Sequence, residues 1–503
     1  MAEKTNETAK GVLVIYTGGT IGSKPKDPDP DSPQVVVPWR VLKEATPELM
    51  RLEGGNFGPI DCNETVGPLD SCNVGPKEWA QMAQIIAKNY EDYEGFVILH
   101  GTDTMVYTAS ALSFMLKGLG KPVILTGAQR SALVGVRNDA TQNFITALEI
   151  ANPKFSRLPV IPEVCVYFGG KLLRGNRAIK KDTSGYDAYE TPNLPPLGEA
   201  GDKITINEKL IRAKPTQPFR AVTRLDTHVT TLMIYPGIHE TPEVARKQLE
   251  IEGLRAAAVL AYGSGNIPTS SDEFLDIFRE ARRRGIILVN ASQCRRGPVE
   301  LGIYDTSAML LEAGFIAGND ITLEAALCKL MTWLGDPDVT TEEVEARFQI
   351  NEAGEQSISQ HVTQFSGAKD KSIDASNTPP AYFRVPARPL EGTWGPQRID
   401  RALLRFKKAS LKSAEEEVKF RVFANLDDPA EASESHVGYA GEYKKWVKGG
   451  ESEGIFIFDV TRAIKPIAKP GERVSLSLFV DTNGASFSWA EVELALLVRE
   501  FGD

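Results

Sequence analysis

Short aliphatic runs that stop at glycine recur through the first half of the chain. GVLVIY closes on T-G-G-T-I-G (residues 17–22), and GFVILH closes on G-T-D-T-M (residues 101–105). Unbroken β-branched and aliphatic runs of this length predict strands buried on both faces, as in a parallel sheet. After the first of them, KPKDPDPDSPQ (residues 24–34) alternates Pro with Asp and predicts a mobile loop that neither helix nor ladder accepts. Pro76 opens a predicted helix with Trp79, Met82, Ile85 and Ile86 at helical spacing. A strand at 96–99, a helix at 107–117, a strand at 122–126, a helix at 139–150 and a strand at 164–168 follow. Strand-helix alternation with short links predicts a parallel α/β domain.

The alternation lapses over residues 190–218, which are Pro-rich and without period, and residues 196–217 are expected to be a linker. It resumes with TTLMIY, a helix from Pro242, AAAVLAY (256–262), a helix from Ser271 and IILV (286–289), and closes with helices near 322–335 and 341–352. Residues 361–396 then turn to Pro, Gly and Ser with little aliphatic content, which predicts a second linker. Beyond it the helical period is lost, and VKFRVFANL, GIFIFDVT and RVSLSLFVDT alternate apolar with polar positions. The predicted fold class is α/β: a larger parallel-sheet domain over 11–195, a smaller α/β domain over 218–360, and an all-β, sandwich-like domain over 397–503. Phe406, Phe420, Phe423, Phe456, Phe458, Phe479 and Trp489 are enough to fill a core there. The last domain is therefore expected to fold alone and to serve an accessory role.

Composition narrows the function. A net charge of −10 over 503 residues argues against a nucleic-acid groove, which needs clustered Lys and Arg. A small-molecule substrate is the simpler expectation. The first ten residues lack an apolar signal region, and no stretch approaches a membrane span, so a cytoplasmic protein is expected. Cys62, Cys72, Cys165, Cys294 and Cys328 are scattered without a Cys-x-x-Cys pair and are expected to be free thiols. The five histidines show no ligand spacing, and neither a metal nor a cofactor is expected.

In open α/β sheets ligands bind beyond the carboxyl ends of strands. Two such ends here carry Thr17, Thr20, Thr102, Asp103 and Thr104, which puts nucleophilic hydroxyls and a carboxylate around one crevice. The first turn lacks the G-x-G-x-x-G spacing and the Gly-Lys-Ser/Thr of a nucleotide loop. G-E-S-E-G (450–454) has the form of a nucleophile elbow, but it precedes a strand instead of joining strand to helix. Thr17 is expected to pack its turn, and His100 reads as a satisfied core histidine.

T-G-G-T-I-G, H-G-T-D-T-M, K-P-V-I-L-T-G-A-Q, L-R-G-N-R-x-x-K (173–180) and P-N-L-P-P-L (192–197) together resemble the type I, cytoplasmic-type bacterial L-asparaginases, in unbroken order over about residues 11–355. The resemblance implies hydrolysis of L-asparagine, with L-glutamine as a second candidate, through a threonine acyl-enzyme in a homodimer or homotetramer. It places the nucleophile on Thr20, the relay on Thr102, Asp103 and Lys180, the substrate-carboxylate serine on Ser71, and further substrate contacts on Gly19, Thr102 and Asp103. A threonine hydroxyl attacks only when an adjacent base takes its proton, and a lysine acts as that base only where its surroundings favour the neutral amine. The family's loop tyrosine is missing between Gly22 and Trp39, and Tyr304 matches the position of an aromatic supplied by a neighbouring subunit. Two alternatives stay open: a binding or regulatory protein that has lost turnover, and an amidase of the glutaminyl-tRNA amidotransferase type, which would want a basic tRNA-facing surface where this chain is acidic.

Overall fold

The computed structural model of the chain describes residues 10–27, 32–134, 137–301, 305–375, 380–392, 398–447 and 449–500. It divides into two compact units. One takes the chain up to Val229 with Ile321–Val344 and Glu352–Glu355, and the other takes Thr230–Asp320, Glu345–Asn351 and the chain from Gln356.

The first unit is built on β1 (Val12–Tyr16), β2 (Ile60–Asn63), β3 (Gly95–Leu99), β4 (Val123–Thr126), β5 (Val164–Phe168), β6 (Lys171–Arg174), β7 (Gly198–Ala200) and β8 (Ile204–Ile206). They form one sheet in the order β8-β7-β6-β5-β4-β3-β1-β2. The first five strands run parallel and the last three are antiparallel additions. Every residue of β1, β3, β4 and β5 is buried, which is why these strands are aliphatic without alternation.

Helix α1 (Pro76–Lys88) begins with proline, and Glu78 reaches back to accept from the Gly75 N–H at 3.0 Å. It turns Trp79, Met82, Ala83 and Ile86 inward. Helix α2 (Met105–Met115) is buried on nearly every side, and α3 is Ala140–Ala151. The helix Leu323–Leu334, which the sequence assigns to the smaller domain, packs on α2 in the first unit. Its Cys328 thiol donates to the Tyr107 carbonyl. All five cysteines are free.

In the second unit, β9 (Val229–Met233), β10 (Ala256–Ala261), β11 (Ile287–Ser292) and β12 (Phe315–Ala317) form a four-stranded sheet in chain order. The helix Asp272–Arg283 belongs to this layer. Ser271 caps it by accepting from the Phe274 N–H, and it buries Phe274, Leu275, Ile277, Phe278 and Ala281.

The β-rich remainder holds β13 (Ile358–Gln364), β14 (Lys371–Asp374), β15 (Ala381–Pro389), β16 (Ile399–Lys412), β17 (Glu417–Ala424), β18 (Tyr439–Trp446), β19 (Glu451–Asp459), β20 (Arg473–Val480), β21 (Ser486–Trp489) and β22 (Glu491–Arg499). One sheet runs β13-β22-β16-β21-β14 with β19 also on β16, and the other runs β15-β20-β17-β18. Leu404 and Phe406 from the first sheet and Phe420, Val422 and Leu478 from the second share one core, so this is an antiparallel sandwich.

Both segments expected to be linkers carry strands. Residues 196–217 supply β7 and β8, and residues 361–396 hold most of β13 together with β14 and β15. β8, β13, β14 and β15 are all edge strands. An edge strand pairs on one side only, so it tolerates the prolines and polar residues that hid it from the hydrophobic pattern. The loop at 24–34 is likewise closed by a hairpin, with Lys24 opposite Val35 and Pro25 opposite Gln34.

The sandwich also has a second buried face. Leu403 and Arg405 alternate with the core residues of β16 and are buried, and with Leu497 they face Val299, Leu301 and Leu311 across a small cavity. Nearby, the Ile455 N–H donates to Glu312 at 2.6 Å. A Cβ at Gly454, where φ is +138°, would lie 2.0 Å from that carboxylate oxygen. Only glycine allows this approach. A fragment of residues 397–503 should therefore show no cooperative thermal transition, because it lacks three edge strands, whereas residues 356–503 should melt cooperatively. Equal, sigmoidal melts of the two fragments by circular dichroism would refute this.

Candidate active site

Strands β1 and β3 are neighbours in register, so their carboxyl ends open side by side. Thr17 ends β1 with its N–H and its hydroxyl both donating to the Leu99 carbonyl, each at 3.0 Å, as suits a residue that packs the turn. Gly18 bridges to Leu69, and the chain enters a 3₁₀ turn over Thr20–Gly22 that leaves Thr20 exposed.

Three turns meet here because glycine lets their backbones touch. Gly19 has φ +82°, and a Cβ on it would sit 2.5 Å from the Gly101 backbone; a Cβ on Gly101 would sit 2.7 Å from Ser71. Ser71 is buried and accepts from the Asp103 N–H through its hydroxyl oxygen at 3.3 Å. That leaves its own hydrogen to donate outward. Thr104 Oγ1 donates to the Ser71 carbonyl at 2.6 Å, so Ser71 is held at two points by the turn after β3.

Lys180 reaches the same turn from a two-residue ladder, Ile179–Lys180 against Tyr189–Glu190. Its Nζ donates to Thr102 Oγ1 at 2.9 Å and to Asp103 Oδ1 at 2.7 Å. Thr102 is buried, whereas the Asp103 carboxylate is open to solvent. Lys181 points elsewhere, pairing with Asp187 at 2.8 Å. Tyr189, directly opposite Lys180, donates its hydroxyl to the Thr102 carbonyl. Burial, with the Asp103 charge second, pushes the Tyr189 phenol far above its ordinary range and keeps it a donor.

The structure thus brings Gly19, Thr20, Ser71, Thr102, Asp103 and Lys180 to one set of turns. Tyr304 lies outside the described residues. Sequence reasoning missed Tyr189, whose partner is 87 residues away, although it is the nearest aromatic to the P-N-L-P-P-L motif; it named Thr104 at the crevice without its bond to Ser71, 33 residues back. It also left unexplained the two arginines of L-R-G-N-R. Arg174 pairs with Glu163 in the interior and donates to the Gly354 carbonyl; Arg177 donates to the Glu355 carbonyl, and Asn176 to that of Ala353. The motif therefore clamps a distant turn while setting the ladder that carries Lys180.

The fold and the crevice define an α/β enzyme that acts on a small polar molecule at the carboxyl ends of its main sheet. A family model described as Asparaginase, N-terminal, matches residues 11–212, and one described as Glutaminase/Asparaginase C-terminal domain matches residues 228–348. L-asparaginase 1 of Escherichia coli strain K12 is 39% identical over 358 residues, covering 69% of this chain and 98% of that protein. The chain belongs to the asparaginase family. The crystal structure of L-asparaginase I from Vibrio cholerae matches with a TM-score of 0.61 at 39% identity, over 69% of this chain and 99% of that one. The thermostable L-asparaginase of Thermococcus kodakarensis matches with the same TM-score at 29% identity, over 69% and 99% of the two chains. Most of the sandwich, from about Gln356, lies beyond the family matches. Among the described residues no helix is long and apolar enough to cross a membrane.

Proposed function

We propose that this chain hydrolyses L-asparagine to L-aspartate and ammonia. The observation that carries this is the Lys180–Thr102–Asp103 hydrogen-bonded group set against the Gly19–Thr20 turn, in a chain of the asparaginase family. Thr20 Oγ attacks the side-chain amide carbon of the substrate. Lys180, acting through Thr102, takes the hydroxyl proton, and the carbon–nitrogen bond breaks with loss of ammonia. Water then cleaves the resulting ester, releasing aspartate and restoring the Thr20 hydroxyl.

Ser71 donates to the substrate α-carboxylate, and the exposed Asp103 carboxylate receives the α-ammonium. The N–H of Thr102, which donates to nothing among the described residues, and that of Gly19 donate to the amide oxygen as negative charge develops on it. Tyr304 supplies an aromatic hydroxyl from a neighbouring subunit of a cytoplasmic homodimer or homotetramer.

Ammonia release from L-asparagine, L-glutamine and their D-isomers tests the reaction, and no release from either L-amide would overturn it. The base assignment has its own control. Lys180→Met should lower kcat by about two to four orders of magnitude, as expected for loss of a general base. Lys181→Met, which breaks only the exposed Asp187 pair, should leave kcat within about twofold. Equal losses in the two variants would refute the assignment.

A further inference from the structure

We propose that His100 is a positioning residue for this reaction, fixing the Gly101–Thr102 peptide so that the Thr102 N–H faces the crevice as an oxyanion donor. This rests on Thr20 being the nucleophile.

The imidazole is fully buried at the end of β3, and both of its nitrogens are engaged. Nδ1 lies 2.7 Å from the Gly101 carbonyl oxygen. A carbonyl only accepts, so Nδ1 carries the proton and the neutral ring leaves Nε2 bare. Nε2 lies 2.9 Å from Thr108 Oγ1, which donates to it. The Trp79 indole N–H donates to the same hydroxyl at 3.0 Å and orients it. Trp79 on α1 and Thr108 on α2 thus select one tautomer of a histidine on β3, and the histidine holds one carbonyl.

That carbonyl matters because of the peptide it belongs to. A trans peptide is planar, with its C=O and N–H pointing in opposite directions. The Gly101 oxygen is turned inward to His100, so the Thr102 N–H is turned outward. Thr102 is buried, yet its N–H donates to nothing among the described residues. Gly101 itself has no side chain to resist rotation, and the Gly19 backbone and Ser71 press on it from the crevice side. Without the Nδ1–H bond the peptide is free to tilt, and the donor loses its aim.

Burial also pushes the His100 pKa down to about 4, so the ring stays neutral at neutral pH. It therefore adds no inflection to the pH–rate profile near the usual histidine range.

The test compares His100→Leu with His100→Asn, since the asparagine amide Nδ2–H reproduces the donor to Gly101. His100→Leu should lower kcat for L-asparagine about ten- to a hundredfold, with KM within about threefold, because a transition-state donor is misaimed while ground-state contacts remain. His100→Asn should recover most of that loss. Nitrogen-15 NMR of histidine-labelled enzyme should show His100 protonated only on Nδ1 between about pH 5 and 8. A folded His100→Leu with kcat within twofold of wild type, an equally impaired His100→Asn, or a proton on Nε2 would each overturn the proposal. Should His100→Leu not fold, Thr108→Val takes its place: it removes the donor to Nε2 and should mix the tautomers while lowering kcat, and no change in either would count against the proposal. Failure of the nucleophile is distinguishable, because Thr20→Ala would then keep its turnover while the Nδ1 tautomer stood unchanged.

Discussion

Thr20→Ala should lower kcat for L-asparagine by at least about four orders of magnitude while leaving the fold intact. Removing a nucleophile that works as one unit with its base costs nearly all of the chemical rate enhancement. The structure makes this variant clean. Thr20 is exposed on its 3₁₀ turn, and the turn is held by the Gly22 N–H donating to the Gly19 carbonyl and by the Ser23 hydroxyl donating to the same oxygen. None of these bonds uses the Thr20 hydroxyl, so stability should change by no more than about 0.5 kcal/mol. Steady-state ammonia release and a thermal melt on the same sample check both halves. A variant that kept more than about a tenth of wild-type kcat would mean that another group attacks the amide.

The largest loss of stability is expected from Lys329→Met. Lys329 and Glu355 are both fully inaccessible and meet at 2.5 Å. Breaking such a pair from one side strands a charge in the interior and costs about 3–5 kcal/mol. The sign with pH follows from Glu355. Burial alone would raise its pKa, but the Lys329 ammonium and the N–H groups of Glu352 and Ala353 more than offset this and hold the carboxyl below its usual range. A depressed carboxyl contributes stability in full above its unfolded pKa and loses it as pH falls through the folded value. Removing Lys329 raises the folded Glu355 pKa, so the deficit of Lys329→Met, measured by urea denaturation, should be largest at neutral pH and shrink as pH falls through that raised value toward the depressed wild-type one. Lys329→Met/Glu355→Gln should recover part of it. A pH-independent deficit would show that lost packing, not the stranded carboxylate, is responsible.

The Glu355 turn also bears on catalysis. Arg174, Asn176 and Arg177 hold the carbonyls of residues 353–355, and the strand that carries Lys180 begins two residues after Arg177. An otherwise silent stretch of chain is therefore the counterpart of a conspicuous motif. Its residues, N-E-A-G-E-Q, carry no periodicity, and their partners lie some 180 residues away. No local pattern can report a contact of that kind.

Strand ends and their chemistry were legible for the opposite reason. A strand buried on both faces must be aliphatic throughout, and a backbone that leaves it for a tight turn must be glycine, so β1 with Gly18–Gly19 and β3 with Gly101 announce themselves over a few residues. Thr20, Thr102 and Asp103 follow from their places after those strands, and the alternation of strand with helix determines the α/β class. Tertiary structure alone decided the rest. It set Lys180, which the L-R-G-N-R-x-x-K spacing already singles out from Lys181, opposite Tyr189, where both side chains reach the Thr102 turn, 78 residues back from Lys180. It sent the helix Leu323–Leu334 to the first unit and drew Ile358–Gln364, Lys371–Asp374 and Ala381–Pro389 into the sandwich as edge strands. An edge strand or a buried polar partner is defined by what lies across from it in space. Its own sequence, obliged to satisfy only one neighbour, carries little trace of which neighbour that is.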